Sequence, residues 1–311
     1  MSVTTAPDHP HLTSGLLLAG AGSIAFSGKA IIVKLAYRYG VDAVTLIMYR
    51  MLFALPLFLA LAWWSSRGKP PLTRHDWLGI VGLGFSGYYL ASFLDFWGLQ
   101  YISASLERLI LYLNPTLVLV LGWVLYKRRI TLLQGTAMAV SYAGVLLVFG
   151  HEAGLQGPDA VLGTVLVFLS AVSYAVYLVY SGELVKRLGS LRLVGLATSV
   201  ACVLVLVQFV LLRPMSDAFA VAPEVIWLSV LNAGACTFAP VLMVMMGVER
   251  IGSGLAAQTG MIGPMSTILM GVLILGEPFN GWILVGTVLV MGGVFMVSRF
   301  GQRTLPPPVG K

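Results

Sequence analysis

The sequence predicts an all-α integral membrane protein of ten transmembrane helices, arranged as two inverted five-helix repeats. Three observations predict it: apolar runs of membrane-spanning length between short polar turns, Lys and Arg gathered in alternate turns, and a gapless self-similarity at a shift of 149 residues. Composition sets the class. Of 311 residues, 58% are hydrophobic and 10% charged, with a mean hydropathy of +0.92, whereas a soluble domain carries about 25% charged residues. An ordinary soluble fold is excluded. The formal charge of +7 comes from 19 Lys+Arg against 12 Asp+Glu, and in so apolar a chain it reflects loops on one side of a bilayer rather than a nucleic-acid surface. With ~20 residues per span and ~8 to 12 per connection, the length accommodates about ten helices and no separate soluble domain.

The first span runs from Leu12 to Tyr37 and is closed by Arg-Tyr-Gly at 38 to 40. Residues 1 to 11 hold no Lys or Arg and the apolar run behind them carries Lys29, unlike a cleaved signal peptide, so this helix is expected to be retained. The second, Asp42 to Trp64, ends at the turn-rich stretch Ser66 to Pro71; the third, Asp76 to Gln100, and the fourth, Ser103 to Tyr126, follow closely. The fifth is Thr131 to Phe149, and Gly-Pro-Asp at 157 to 159 separates it from the sixth, Leu162 to Val185. The seventh is Leu191 to Leu212, the eighth Val225 to Val248, the ninth Gly252 to Gly276; Glu277 to Gly281 then turns the chain into the tenth, Trp282 to Ser298. Trp63, Trp64, Trp77 and Trp282 lie at span ends and read as interface anchors. Cys202 and Cys236 fall inside apolar segments without CxxC spacing, which supports packing roles and neither a disulfide framework nor a zinc site.

If the N-terminus is inside, the inner segments hold thirteen Lys and Arg residues and the outer loops only Arg38 and Arg213. That bias predicts both termini in the cytoplasm. The expected organisation is a cytoplasmic tail over 1–11, a first repeat over 12–149, a periplasmic linker over 150–161, a second repeat over 162–298 and a cytoplasmic tail over 299–311.

The repeat rests on residues that composition alone does not supply. At the shift of 149, Arg38 and Gly40 fall on Arg187 and Gly189, Gly98 and Ile102 on Gly247 and Ile251, Pro115 and Gly122 on Pro264 and Gly271, and Gly144 on Gly293. Five spans per copy is an odd number, so the second copy crosses the membrane upside down relative to the first. Inverted repeats are a device of secondary transporters, with a binding site near the midplane where the halves meet; a duplicated bundle without transport is the plainer alternative.

The chain resembles the drug/metabolite transporter superfamily, specifically its ten-helix EamA-type exporters. The resemblance is carried over nearly the full length by Ser-Ala-Ser-Leu-Glu-Arg-Leu from Ser103 with Pro115, its counterpart Gly-Ser-Gly-Leu-Ala-Ala-Gln from Gly252 with Pro264, Leu-Gly-Glu-Pro ending at Glu277 and Pro278, Arg50, and Gly-rich fifth and tenth spans. The family often has a Glu after the fourth span, where this chain has Arg128. Within the superfamily the chain is most similar to the YddG-type bacterial amino-acid exporters. The resemblance implies export of amino acids or similar small amphipathic metabolites by alternating access, with no cofactor, no nucleic-acid partner and the lipid bilayer as surroundings.

Charges within the spans mark the candidate site, because each costs about 2.5 to 3.5 kcal/mol near the bilayer centre and asks for a partner or a wet cavity. They are Lys29, Arg50, Asp95, Glu107 and Arg108; their images in the second copy are Leu178, Ser199, Val244, Ala256 and Ala257. In one reading Asp95 pairs with Arg50 or Arg108 and the group merely fixes the first four helices. In the other, a substrate carboxylate meets a cation and its ammonium meets Asp95 or Glu107. Glu107 is also a protonatable group through which a proton gradient could be coupled. Lys34 and Arg38 read as snorkelling end residues.

A substrate side chain asks for a chamber. Tyr88, Ser92 and Asp95 share one face of the third span, Ser170, Tyr174 and Tyr177 one face of the sixth, and Gln258 and Thr259 precede Pro264 in the ninth. Such aromatic rows serve packing as readily as a pocket. Glycines 79, 82, 84 and 87 permit close contact or bending of the third span. Pro115 and Pro264 are candidate hinge points.

A membrane enzyme would need a nucleophile with its base, or metal ligands, at membrane depth, yet histidines 9, 11, 75 and 151 are expected in termini or loops and no HExxH or GxSxG context occurs. No metal site is expected. A passive pore favours a symmetric polar ring, which charges confined to one copy do not make; a pore or a lipid-flipping protein stands as the alternative function.

Overall fold

The computed structural model describes residues 9–127, 130–156 and 159–301. Most of both expected tails, the Arg128-Arg129 turn and Gly157-Pro158 lie outside the described residues. Among the described residues the chain is helical and without strands. The helices are α1 (His9–Tyr37), α2 (Ala43–Ser66), α3 (Arg74–Gly98), α4 (Ala104–Tyr126), α5 (Leu132–Gln156), α6 (Asp159–Leu188), α7 (Ser190–Leu212), α8 (Pro223–Gly252), α9 (253–275) and α10 (Gly281–Gly301). Nine have the length and hydropathy to cross a bilayer, and α10 contributes the shorter apolar stretch Gly281–Val297. Ten crossings return the chain to the face it started from. That face is called here the terminal face.

Starts and stops follow from capping. Asp42 begins α2 by accepting hydrogen bonds from the Val44 and Thr45 amides and the Thr45 hydroxyl, and it pairs with Arg213 at 3.0 Å. Partial burial pushes the Asp42 carboxyl up, but these donors and the guanidinium outweigh it and hold the group below its ordinary value. Thr73 and Asp76 form a capping box at α3. Ser103 caps α4 through the Leu106 amide.

The shift of 149 holds in the backbone. Gly40 and its image Gly189 both have positive φ, 76° and 86°. The π-helical turn Gly84–Leu90 in α3 is matched by Gly234–Phe238 in α8. α4 is interrupted at Tyr112 and Leu113, α9 at Met261, each just before the paired prolines Pro115 and Pro264. α4 ends on Lys127 (φ 52°) and α9 on Gly276 (φ 73°), both left-handed and both returning an amide to the carbonyl five residues back, Gly122 and Gly271. Lys127 is the one non-glycine residue among the described residues to adopt positive φ, so the repeat imposes the turn even without the residue that favours it.

Packing obeys the same symmetry: α2 lies against α7, α5 against α10, α1 against α8 and α3 against α6. The α5/α10 contact is close because Gly144 and Gly293 face a helix backbone; a Cβ would lie 2.7 Å from the Gly286 carbonyl at Gly144 and would meet the Ala137 carbonyl at Gly293. The glycines of α3 divide: Gly79, Gly84 and Gly87 meet Leu184, Ala197 and Tyr177, while Gly82 faces open space.

Three end residues differ from expectation. Lys34 does not snorkel but donates to the carbonyls of Leu99 and Ile102, and Arg38 donates to the Leu275 carbonyl across the repeats. Both satisfy carbonyls that a helix end leaves without intrahelical partners. His151 is helical rather than in a loop, since α5 runs past Phe149; its Nε2 lies 2.7 Å from Asn280.

Candidate functional site

The charges of the first repeat converge in the interior. Lys29 on α1 reaches Asp95 on α3 at 2.5 Å and Glu107 on α4 at 3.2 Å. Asp95 is 2% exposed and Glu107 0%. The acidic partner of a cation is therefore found, but the cation is Lys29 rather than Arg50 or Arg108. Arg50 is engaged elsewhere: its guanidinium lies 5.0 Å over the Phe96 ring, and its Nε donates to the Thr237 hydroxyl at 3.2 Å. Arg108 points away from Glu107, as consecutive helical residues must, and donates to Ser27 on α1 while packing on Gly263 of α9. It thus spans the seam between the repeats.

This arrangement is polar and incompletely satisfied. Among the described residues no donor reaches Asp95 Oδ1 or either Glu107 oxygen in hydrogen-bond geometry, and Arg50 Nη1 and Arg108 Nε lack acceptors. Buried polar atoms of this kind are uncommon and mark places where a ligand, proton or water belongs. Lys29 with two carboxylates offers an acidic surface to an ammonium; Arg50 and Arg108 each hold unused N–H groups suited to a carboxylate.

The other expected residues lie apart. Tyr88, Tyr174 and Tyr177 form one aromatic cluster, with the Tyr88 and Tyr177 hydroxyls 3.1 Å apart and ring centroids 5.1 and 5.4 Å apart along the chain of contacts. It is packed with Ile80, Leu83 and Leu193 between α3, α6 and α7. Ser92 is half-buried between that cluster and Asp95, and Gln258 is exposed on α9 before the Met261 break. Pro115 and Pro264 stand immediately after the two helix breaks.

Two partners were not singled out from the sequence as site residues. Thr237 is the image of Tyr88 under the shift of 149, so applying the repeat to the third span would have found it; its hydroxyl also donates to the Asn232 carbonyl, freed by the π-turn. Glu277 receives the Ala104 amide at 2.7 Å and the Ser105 hydroxyl at 2.7 Å, placing a second-repeat carboxylate on the positive end of α4. Beside it Glu152 accepts the Ser103 amide and hydroxyl. With Arg38 on Leu275 and Asn280 on His151, the Glu277 bonds tie the repeats together on the face opposite the termini. At the other end of α4, Trp123, Val124, Leu125 and Tyr126 are all exposed.

The chain matches the EamA-like transporter family over residues 13–150 and again over 161–299. It is 31% identical to the uncharacterized transporter YcbK of Bacillus subtilis (strain 168), across 91% of each chain. The similarity to mouse solute carrier family 35 member F2 is 24%, covering 92% of this chain and 78% of that one. A solved crystal structure shares the fold, with a TM-score of 0.62 at 19% identity over 94% of this chain and 99% of the other.

Proposed function

The chain belongs to the EamA-like transporter family, and from that premise we propose that it exports amino acids or similar small amphipathic metabolites across the bacterial inner membrane by alternating access between its repeats. The observation that carries the substrate class is the joint presence, in one buried region, of two carboxylates under Lys29 and of two arginines with unused N–H groups. A zwitterionic head group supplies the complementary charges: its ammonium meets Asp95 and Glu107, its carboxylate Arg50 or Arg108. Tyr88, Tyr174, Tyr177, Ser92 and Gln258 line the path of the side chain in this reading.

Paired breaks before Pro115 and Pro264 serve as the hinges on which α4 and α9 rock. The bonded α4 entrance supports a state closed on the periplasmic face, with both termini cytoplasmic. The basic residues of the terminal face, Arg67, Lys69, Arg74, Arg187 and Arg192 among them, support that orientation.

The test is flux from liposomes holding the purified protein and a panel of labelled amino acids. Saturable, protein-dependent efflux of at least one is expected, and Asp95→Asn and Arg108→Gln, singly and together, reduce it at least tenfold. No saturable flux for any amino acid overturns the substrate class; unchanged flux in the variants overturns the head-group site.

A further inference from the structure

We propose that a cavity between α1 and α8 holds the head group of a phospholipid bearing both a phosphate and an ammonium, a phosphatidylethanolamine, with the phosphate on Arg38 and the ammonium on Glu224. The cavity measures about 380 Å³ and is lined by Leu35, Arg38, Tyr39, Glu224, Trp227 and Leu228, a size within the range of small-ligand sites. It lies on the face opposite the termini, where α1 ends and α8 begins. It shares no residue with the charged group around Lys29.

The lining is graded along the membrane normal. On each helix the charged residue stands at the end and an apolar residue about one turn deeper: Leu35 is three residues inside Arg38, and Leu228 four residues inside Glu224. Charge above hydrocarbon is the profile of a lipid rather than of a solute dissolved in water. Tyr39 and Trp227 are exposed beside it, and such rings at a span end settle at the level of the lipid head groups. The cavity therefore opens where a head group is found.

Its charges fit a zwitterion. Arg38 and Glu224 both line the cavity, yet they are not paired within 4.0 Å, and no other cation among the described residues reaches Glu224. Arg38 gives one N–H to the Leu275 carbonyl; a guanidinium carries five donors, which leaves others for a phosphate. A lipid with a phosphate and no ammonium satisfies Arg38 but meets an uncompensated carboxylate at Glu224, and like charges so placed select against it. Arg38 belongs to the first repeat and Glu224 to the second, so the head group bridges α1 and α8, which pack against each other across the repeats. It joins the protein bonds that already tie the repeats on that face.

Native mass spectrometry of the full-length protein in detergent, titrated with phosphatidylethanolamine or phosphatidylglycerol, tests this. Retention of one phosphatidylethanolamine is expected, about tenfold tighter than phosphatidylglycerol. Arg38→Gln weakens both lipids, but it also removes the bond to Leu275. Glu224→Gln is the deciding variant, because its carboxylate makes no ion pair among the described residues; it is expected to erase the preference while phosphatidylglycerol binds at least as well as before. Equal retention of the two lipids by the wild type, or an unchanged preference in Glu224→Gln, overturns the proposal. Free leucine and glycerophosphoethanolamine, added in excess, are expected to leave the bound lipid in place. Displacement by either overturns the lipid assignment, since the apolar floor then takes no part and the cavity serves a dissolved zwitterion. None of these outcomes depends on which solute is transported.

Discussion

α4 and α9 are equivalent helices of the two repeats and share a backbone: an interruption at Tyr112–Leu113 or Met261, a proline just beyond it, and a left-handed residue at the end. Their side chains diverge. α4 buries Glu107 and half-buries Arg108, where the second repeat has Ala256 and Ala257. The first turn of α4 is held by Ser103 and by Glu277 from the other repeat, whereas the α9 segment begins at Gly252, with φ 78° and no side chain to cap with. The comparison separates two demands. The inverted duplication is carried by matching backbones, whereas the charges within the spans are confined to one copy; under the proposed alternating access the first supplies two packable conformations, and for the proposed zwitterion the second supplies unlike ends.

Copying the chemistry into the second repeat breaks the comparison most severely. Ala256 is 4% exposed, so Ala256→Glu buries a carboxylate with no Lys29 equivalent, the image position being Leu178. A loss of about 3 kcal/mol or more is expected, read as a sharp fall in folded yield and melting temperature, with Ala256→Gln losing less. An equal loss for both would show that volume, and not charge, is what the site refuses.

Glu277→Gln sharpens the contrast at the helix starts. It removes a carboxylate from the α4 N-terminus, which is expected to cost about 1 kcal/mol and to raise local opening roughly fivefold. Amide hydrogen exchange over residues 103–107 reads it, while the α9 start is expected to stay unchanged. If exchange at 103–107 does not accelerate, the carboxylate is not what holds the α4 start.

The smallest effect concerns α2 and α7. Asp42 caps α2 with its side chain; α7 starts from Gly189, which makes no side-chain cap. Because the folded-state Asp42 carboxyl lies below its ordinary value, its contribution is present above the ordinary aspartate pKa and is lost as pH falls through the lower folded value. Both Asp42 and Arg213 are more than a third exposed on the side chain, so solvent screens the pair and the change is slight. Asp42→Asn is expected to reduce stability at neutral pH and to flatten the acid limb of a melting-temperature profile below about pH 4. A variant profile parallel to the wild type would assign that limb to other carboxylates.

Much of the site was legible because a charge inside an apolar span is conspicuous: Lys29, Asp95 and Glu107 were visible by depth alone, and they meet. Depth does not give rotation about the helix axis. Arg50 and Arg108 lie on the same spans or their neighbours, yet Phe96 and Thr237 hold one and Ser27 the other, so the predicted Asp95–Arg pair gives way to Asp95–Lys29. The tyrosines, read as faces of two separate helices, pack on one another across α3 and α6, where Gly87 lets the Tyr177 ring approach. Thr237 and Ser27 carry no signal by residue type, since small hydroxyl residues are ordinary in membrane helices.

By itself the sequence determined the class, the ten crossings and the inverted duplication, because hydrophobic length, loop charge and a gapless shift are properties of the chain read in one dimension. Tertiary structure alone decided which charges touch, on which face Glu277 and Arg38 bridge the repeats, and that one ammonium serves two carboxylates. Those depend on helix rotation and on the meeting of residues more than sixty positions apart, where Coulomb energy and the cost of unpaired polar atoms in a dry interior outweigh any local preference.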